Sequence, residues 1–193
     1  MVRMLLDAGA EVDAGRSDGY TALIAATDRE PTFPRHLGLE YHPAIVELLI
    51  RKGADPGVTT SKGRTALMGA ARAGDLEGVR LLLQKGASAM PRDYQGRTAL
   101  IEAAASALAD GRLVVELIKA GADVDRADDM QMTSLMHAAA RGHIPSTVKA
   151  LLDAGAGTEL RNADGKTARE LIQGTQTARA RRILRMLEQA ARK

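Results

Sequence analysis

The carboxylates between Asp123 and Asp129 form the first group in this chain whose spacing could do chemistry. Asp123 and Asp125 stand where the first and third oxygen ligands of a calcium-binding loop would stand. Such a loop needs glycine at its sixth place and glutamate at its twelfth, but these places hold Asp128 and Ser134. The pattern therefore indicates an acidic loop and predicts no calcium site.

The four histidines form two pairs, each with a spacing of six residues. The pairs are His36 with His42 and His137 with His143. Zinc sites often combine histidine with cysteine, and this chain has no cysteine. Phosphate-loop, nucleophile-elbow and zinc-protease motifs are also missing from the sequence. We expect no catalytic, cofactor-binding or metal-binding residues and predict that the protein is not an enzyme, although a Ser–His–Asp grouping built from distant positions stays open.

Composition narrows the remaining classes of function. The net charge is +3 and aromatic residues make up 2% of the chain, so we expect no nucleic-acid partner. The sequence contains no run of eighteen apolar residues, and we expect no membrane span. Residues 161–193 carry nine basic and three acidic side chains, which we interpret as a solvated last helix, with docking to an acidic partner or a membrane surface as the alternative. Cytoplasm is the default compartment, and secretion or the periplasm is the alternative if an upstream signal is missing.

A repeat of about thirty-three residues organises the chain. Five Gly-Ala pairs are each followed, twelve residues after the glycine, by a threonine. The step from each threonine to the next glycine varies between 21 and 32 residues. The glycines are Gly9, Gly53, Gly86, Gly121 and Gly155, and the threonines are Thr21, Thr65, Thr98, Thr133 and Thr167. One connector of fixed length and one that tolerates insertion indicate stacked units that bury each other's apolar faces.

The unit at residues 60–92 shows how the residues predict the shape. Thr65 precedes a run of helix formers and is expected to cap a first helix. A second helix should follow through Leu81–Leu83 and end at Gly86, where a left-handed residue is usual. The sequence from residue 87 onward then predicts a hairpin-like connection with its turn at residues 95–96. The same reading divides the chain into a partial repeat at 1–15 and repeats at 16–59, 60–92, 93–127, 128–161 and 162–193.

These units resemble the ankyrin repeat. The motifs that carry the resemblance are D-G-Y-T-A-L at 18–23, K-G-R-T-A-L at 62–67, Q-G-R-T-A-L at 95–100, T-S-L-M-H-A-A at 133–139 and D-G-K-T-A at 164–168. The resemblance implies an all-α fold, an ankyrin-repeat α-solenoid of stacked helix-turn-helix pairs with β-hairpin-like loops. It also implies a non-enzymatic protein–protein interaction module whose partner contacts the hairpin tips and the concave ends of the first helices.

Mapping that surface onto this sequence gives the candidate partner-binding residues. Most of them are Arg, Tyr or Met, which are enriched in interfaces, and the set favours a protein partner with an acidic, partly apolar patch. They are Tyr20, Lys62, Arg64, Arg72, Tyr94, Arg97, Met130, Met132 and Arg141. A merely solvated face is the alternative interpretation. Reversing Arg64 and Arg97 to glutamate together is expected to abolish capture of the partner.

An insertion of eleven residues interrupts the repeat at 16–59. The segment 30–43 holds Phe33 and Tyr41, which we add to the candidate partner-binding residues as parts of a recognition loop. The alternative is a loop that covers the neighbouring helix ends.

The two ends of the array differ. Residues 1–8 form a second helix without its first, so the apolar side chains of Val2, Met4, Leu5 and Leu6 lack a cover on one side. This indicates truncation or another start site, or a homodimer through this end. The competing functions are accordingly a self-associating structural or inhibitory subunit, or the repeat domain of a larger effector or enzyme. At the other end, residues 183–187 can turn inward as a capping helix.

Three departures from the family pattern carry structural expectations. Ile24, Met68, Ile101 and Met136 replace the family's histidine, so packing should replace the family's Thr–His bonding. Gln131 stands where the other hairpin turns have glycine, so we expect a positive φ and strain there. Glu170 follows Thr167 by three residues, which predicts a capping box.

Overall fold

The computed structural model describes residues 2–27, 43–141, 144–172 and 177–192. Within these ranges the chain forms ten α-helices and a short 3₁₀ turn at Glu170–Ile172. The helices are α1 (Val2–Asp7), α2 (Ala22–Thr27), α3 (Pro43–Arg51), α4 (Ala66–Ala73), α5 (Leu76–Gln84), α6 (Ala99–Ala105), α7 (Gly111–Lys119), α8 (Ser134–Arg141), α9 (Pro145–Asp153) and α10 (Ala178–Ala190). Phe33 and Tyr41, and nearly all of the predicted insertion, lie outside the described residues.

The helices stack in two parallel rows. In the first row α2, α4, α6 and α8 contact one another in order, and the 3₁₀ turn follows α8. In the second row α3, α5, α7, α9 and α10 do the same. The predicted all-α repeat solenoid is therefore confirmed. We call the first row the inner helices and the second row the outer helices.

Small and apolar side chains allow the inner helices to pack closely. All seven residues of α6 are buried, and six of the eight residues of α4 are buried. A Cβ atom at Gly69 would lie only 2.8 Å from the backbone carbonyl oxygen of Thr27, so α4 could not approach α2 as it does with a larger residue. The interior is built from Leu, Ile, Val, Ala and Met, as the composition requires.

Threonine begins each of four inner helices through the same hydrogen bond. The Thr65 hydroxyl accepts the backbone N–H of Met68 at 3.2 Å, and Thr98 accepts that of Ile101 at 3.3 Å. The same bond joins Thr21 to Ile24 and Thr133 to Met136. Each such cap is worth about 1 kcal/mol. The side chains of the four residues that replace the family's histidine are almost fully buried, so the expected replacement by packing is confirmed.

A five-residue turn precedes each inner helix and the 3₁₀ turn, and three of these turns share their hydrogen bonds in detail. At residues 93–97 the N–H of Asp93 donates to the carbonyl oxygen of Arg97, and the Asp93 carboxylate accepts the N–H groups of Gln95 and Arg97. The turns at 128–132 and 162–166 make the corresponding bonds through Asp128 and Asn162. These short side chains accept from backbone two residues ahead, which holds the turn shape without help from a neighbouring strand.

Neighbouring turns are joined by backbone hydrogen bonds. The N–H of the second turn residue donates to the carbonyl oxygen of the third residue in the preceding turn, at 2.7–3.0 Å. The bonds run from Ser61 to Asp18, Tyr94 to Lys62, Asp129 to Gln95 and Ala163 to Met130. We call this series of bonds the hairpin ladder. It sets the position of each turn relative to the turns beside it.

Gln131 adopts the strained backbone conformation that the sequence predicts. Its φ is 55°, whereas the glycines at the same place in the other turns have φ between 72° and 78°. The Gln131 N–H donates to the Asp128 carbonyl oxygen at 2.9 Å, as the equivalent glycines do in their turns. The turn therefore keeps its geometry at the expense of a left-handed residue that carries a side chain.

The two ends of the described array differ in how far their apolar side chains are buried. In α1 no residue is buried, and the Met4 and Leu5 side chains are 74% and 55% exposed. In α10 Ile183 and Leu187 are buried against the solenoid. The predicted capping box is confirmed, since Glu170 accepts the N–H of Thr167 at 2.7 Å and the Thr167 hydroxyl accepts the N–H of Glu170.

We expect Gln131→Gly to raise the free energy of unfolding by about 0.4–1 kcal/mol, because glycine relieves the left-handed strain at some cost in chain entropy. Urea denaturation of the two proteins measures the difference. Gln95→Gly, in a turn that already has its glycine, is the matched control and should lower stability. Unchanged or lower stability of Gln131→Gly would show that the entropy of the unfolded chain outweighs the strain.

Candidate interaction surface

The hairpin ladder brings three of the sequence-predicted residues to successive exposed tips. Lys62, Tyr94 and Met130 lie at the second or third place of their turns, where the bonds of the ladder hold the backbone. Tyr94 and Met130 are 62% and 60% exposed, and Lys62 is exposed as well. The Lys62 ammonium lies 5.8 Å from the centre of the Tyr94 ring, within the range of a cation–π contact. We call these three residues the tip stripe.

Tyr20 and Met132 occupy the fifth place of their turns, whereas the tip stripe occupies the second or third place. Tyr20 is half-buried, and the Arg16 guanidinium lies over its ring at 5.6 Å while also pairing with Asp18 at 3.1 Å. Met132 is half-buried, and its sulfur accepts a hydrogen bond from the Asn162 amide at 3.4 Å. Both side chains therefore offer a partner only part of their surface.

Arg72 and Arg141 lie in the last turns of the inner helices α4 and α8. Both are exposed. Within the part of the chain that the structure describes, neither guanidinium pairs with a carboxylate, so both keep their positive charge at the surface.

Arg64 and Arg97 are turned toward the inner helices instead of the tips. The Arg64 side chain is 12% exposed and the Arg97 side chain is 25% exposed. Both guanidinium groups contact the carboxylate of Glu102 on α6, at 3.1 Å from Arg64 and 3.4 Å from Arg97. The Glu102 side chain is 2% exposed, so it needs these partners. The double reversal of Arg64 and Arg97 to glutamate would therefore test the stability of the fold before it tests binding.

Asp93 adds a second carboxylate to this cluster. It lies 3.5 Å from the Arg64 guanidinium and is itself buried. One of its oxygens already accepts two backbone N–H groups in its own turn. We call Arg64, Asp93, Arg97 and Glu102 the buried ion cluster. Its four charges cancel, and it joins two turns to helix α6.

The sequence contains one sign of the buried ion cluster, which the motifs and spacings considered above do not reveal. Glu102 stands at the helix position where the neighbouring units have Ala25, Gly69 and His137. A glutamate at a buried helix position must pair, and Arg64 and Arg97 precede it in adjacent turns. Aligning the units by helix position would have pointed to this contact.

His137 occupies the same helix position in the next unit and pairs with the turn beside it. Its Nε2 lies 2.7 Å from the Asp128 carboxylate. Burial lowers the pKa of His137 below its usual value, while the nearby carboxylates of Asp128 and Glu102 oppose the shift and Arg97 favours it. Neutral His137 is therefore favoured in the folded protein, with Nε2 donating to Asp128.

The ionisable groups of the buried ion cluster are paired with one another, as are His137 and Asp128, which suits a rigid frame. In the described ranges no three histidine, aspartate or glutamate side chains come close enough to hold a metal ion. His36, His42 and His143 lie outside those ranges. None of the described helices is long and apolar enough to cross a bilayer.

Comparison with known protein families gives two matches. A family described as ankyrin repeats, in three copies, matches residues 36–128. A family described as ankyrin repeat matches residues 130–163. The two matched segments cover about two thirds of the chain. No curated protein matches the sequence.

We expect Arg64→Ala to lower the free energy of unfolding by about 2 kcal/mol or more, because it leaves the Glu102 carboxylate buried with one fewer cation. Arg72→Ala removes the same side chain from an exposed, unpaired position and should change stability by about 0.5 kcal/mol or less. Urea denaturation of both variants makes the comparison. Equal effects of the two substitutions would contradict the role of the buried ion cluster.

The lowered pKa of His137 predicts a loss of stability in mild acid. The unfolded chain binds a proton near the usual histidine pKa of about 6.5 and the folded chain binds it only at lower pH, so stability is present above that value and declines as pH falls through it. The stability difference between the wild type and His137→Gln should therefore shrink from pH 7.5 to pH 5.5. A difference that grows over this interval would show that the Asp128 contact favours the charged histidine.

Proposed function

Since the chain belongs to the ankyrin-repeat family, whose members are generally protein-interaction modules, we propose that this protein binds a protein partner through its hairpin tips and the exposed ends of its inner helices. The observation that carries the proposal is the tip stripe of Lys62, Tyr94 and Met130. Three successive tips expose a cation, an aromatic ring and a thioether on backbone that the hairpin ladder holds in place.

Rigid presentation favours binding because little conformational freedom is lost on association. The carboxylates of Asp93 and Asp128 accept backbone N–H groups within their own turns, so these turns are held by side chains as well as by the ladder. Tyrosine and methionine give a partner large contact areas, and aromatic residues are enriched among those that dominate binding energy. A flat surface of short polar residues would lack both properties.

The charges left at the surface define the chemistry of the partner. Arg64 and Arg97 neutralise Glu102 and Asp93. Lys62, Arg72 and Arg141 remain, and they favour carboxylates on the partner. The partner that we propose therefore has an acidic, partly apolar patch, whose apolar part contacts Tyr94 and Met130.

Other parts of the proposal extend this surface along the chain. Phe33 and Tyr41 in the insertion belong to it as further contacts, and Tyr20 and Met132 contribute their exposed edges. The units that build it are the repeats at 16–59, 60–92, 93–127, 128–161 and 162–193. In this proposal the protein acts in the cytoplasm and performs no catalysis of its own.

A second candidate is self-association through α1. Met4 and Leu5 are neighbours, and both are more than half exposed. Covering them with a second copy would remove apolar surface from water. Light scattering distinguishes the two functions, because this one requires dimers that form as the protein concentration rises.

The test of the proposed function is capture of partners by Lys62→Glu/Tyr94→Ala compared with the wild type. Partners captured from lysate by the wild type are identified, purified and titrated against each variant. We expect this double variant to weaken binding by about tenfold or more, since it removes a charge and an aromatic anchor.

Lys85→Glu is the control, because Lys85 is exposed at the end of the outer helix α5 and the substitution makes the same change of charge. Thermal melting confirms that both variants fold. Equal binding by the double variant and the wild type would contradict the proposal, and so would a wild type whose only partner is itself.

A further inference from the structure

A groove between α9 and α10 lies apart from the hairpin tips, on the outer row of helices. It has a volume of about 860 Å³ and is lined by the end of α9, the loop at 155–158 and one side of α10. Leu152 and Met186 pack against the core from its walls, and Ala156 is buried beneath it. The groove is therefore apolar at its base.

The rim of the groove carries an excess of positive charge. Lys149 and Asp153 pair with each other across one turn of α9. Arg182 and Arg192 also line the groove, and both are exposed. Neither of these two arginines makes an ion pair or a side-chain hydrogen bond with any other described residue. Arg192 also lines a neighbouring groove that contains three glutamates, yet within the described ranges neither guanidinium group beside the apolar base is held in a direct ion pair.

The spacing of the two arginines sets the length of a matching occupant. Arg182 lies within α10 and Arg192 lies just past its end, ten residues later. At a rise of about 1.5 Å per residue this separates them by about 15 Å along the helix. An extended chain advances about 3.3 Å per residue, so two carboxylates about four or five residues apart would reach both.

We propose that this groove binds a short extended segment of a protein partner in which two acidic residues bracket apolar ones. The apolar side chains contact Leu152 and Met186, and the carboxylates accept hydrogen bonds from Arg182 and Arg192. Burying apolar surface supplies affinity, and the two charge-assisted contacts fix the register. This is a second interaction surface, and it does not depend on the tip stripe.

The groove fits a polypeptide better than a membrane or a nucleic acid. A bilayer is flat and cannot fill a concave site, and the apolar residues Ile183 and Leu187 of α10 are buried in the solenoid and so are withheld from lipid. Nucleic acid would gain little from an apolar base, and the described aromatic residues, Tyr20 and Tyr94, both lie on hairpin turns.

The test uses a fluorescently labelled peptide of sequence Glu-Leu-Ala-Leu-Glu and measures fluorescence anisotropy against the whole chain. We expect saturable binding, which weakens by about tenfold or more in Arg182→Glu/Arg192→Glu. The matched control is Arg181→Glu/Arg185→Glu, which changes the charge of the same helix by the same amount at exposed positions that do not line the groove. This control should bind the peptide within about twofold of the wild type.

Further peptides and a vesicle separate the proposal from its competitors. Gln-Leu-Ala-Leu-Gln, which lacks the carboxylates, should bind at least about tenfold more weakly than the acidic peptide. Vesicles of phosphatidylserine and phosphatidylcholine should not bind in a manner that depends on Arg182 and Arg192. Thermal melting checks that α10 stays folded, and glutamine replaces glutamate at both positions if it does not.

Four results would overturn the proposal. These are an absence of saturable peptide binding, an equal loss in the two arginine pairs, equal binding of the neutral peptide, or vesicle binding that is lost with Arg182 and Arg192. Because none of these measurements involves the hairpin tips, failure here leaves the proposed tip surface untouched. Failure of the Lys62 and Tyr94 test likewise leaves the groove untouched.

Discussion

Within the inner row, α4 and α6 each lie between two neighbouring helices and α8 lies between α6 and the 3₁₀ turn, and this enclosure governs the other features of the molecule. In α6 every residue is buried, and α4 approaches α2 so closely that Gly69 has no room for a side chain. Such positions accept small or apolar residues. A charged residue is tolerated there only when partners reach it, which is the situation of Glu102 between Arg64 and Arg97.

The turns that precede the inner helices are held in place in two ways. Backbone bonds join each turn to the next, and the buried ion cluster joins two turns to α6. Arg64 and Arg97, which the sequence predicts as partner-binding residues, pair with the buried carboxylates of Asp93 and Glu102. The tips keep Lys62, Tyr94 and Met130, whose side chains face water on backbone that is already ordered. In the function that we propose, structure and recognition thus use different residues of the same turn.

The features that follow from neighbouring residues could be predicted from the sequence, and those that depend on distant contacts could not. The threonine caps, the left-handed Gln131 and the Thr167–Glu170 capping box each need information from within a few residues. The repeat pattern then led to the stacked fold. The inward turn of Arg64 depends on Glu102, which lies 38 residues away. The groove beside α10 depends on how α9, α10 and the loop at 155–158 pack together, which no short pattern encodes. The partner-binding residues and the repeat boundaries stay predictions.

The hairpin ladder also has a mechanical consequence. Successive turns are coupled through short backbone bonds at their tips, and the helices behind them are coupled through side-chain packing. A slight tilt at every junction would add up along the array and change its curvature, because each unit touches only its neighbours. A ligand that contacts only two adjacent tips would hardly deform the molecule. A ligand that contacts several tips must either match the curvature of the free array or bend the array elastically. The length of the ligand therefore becomes a determinant of selectivity.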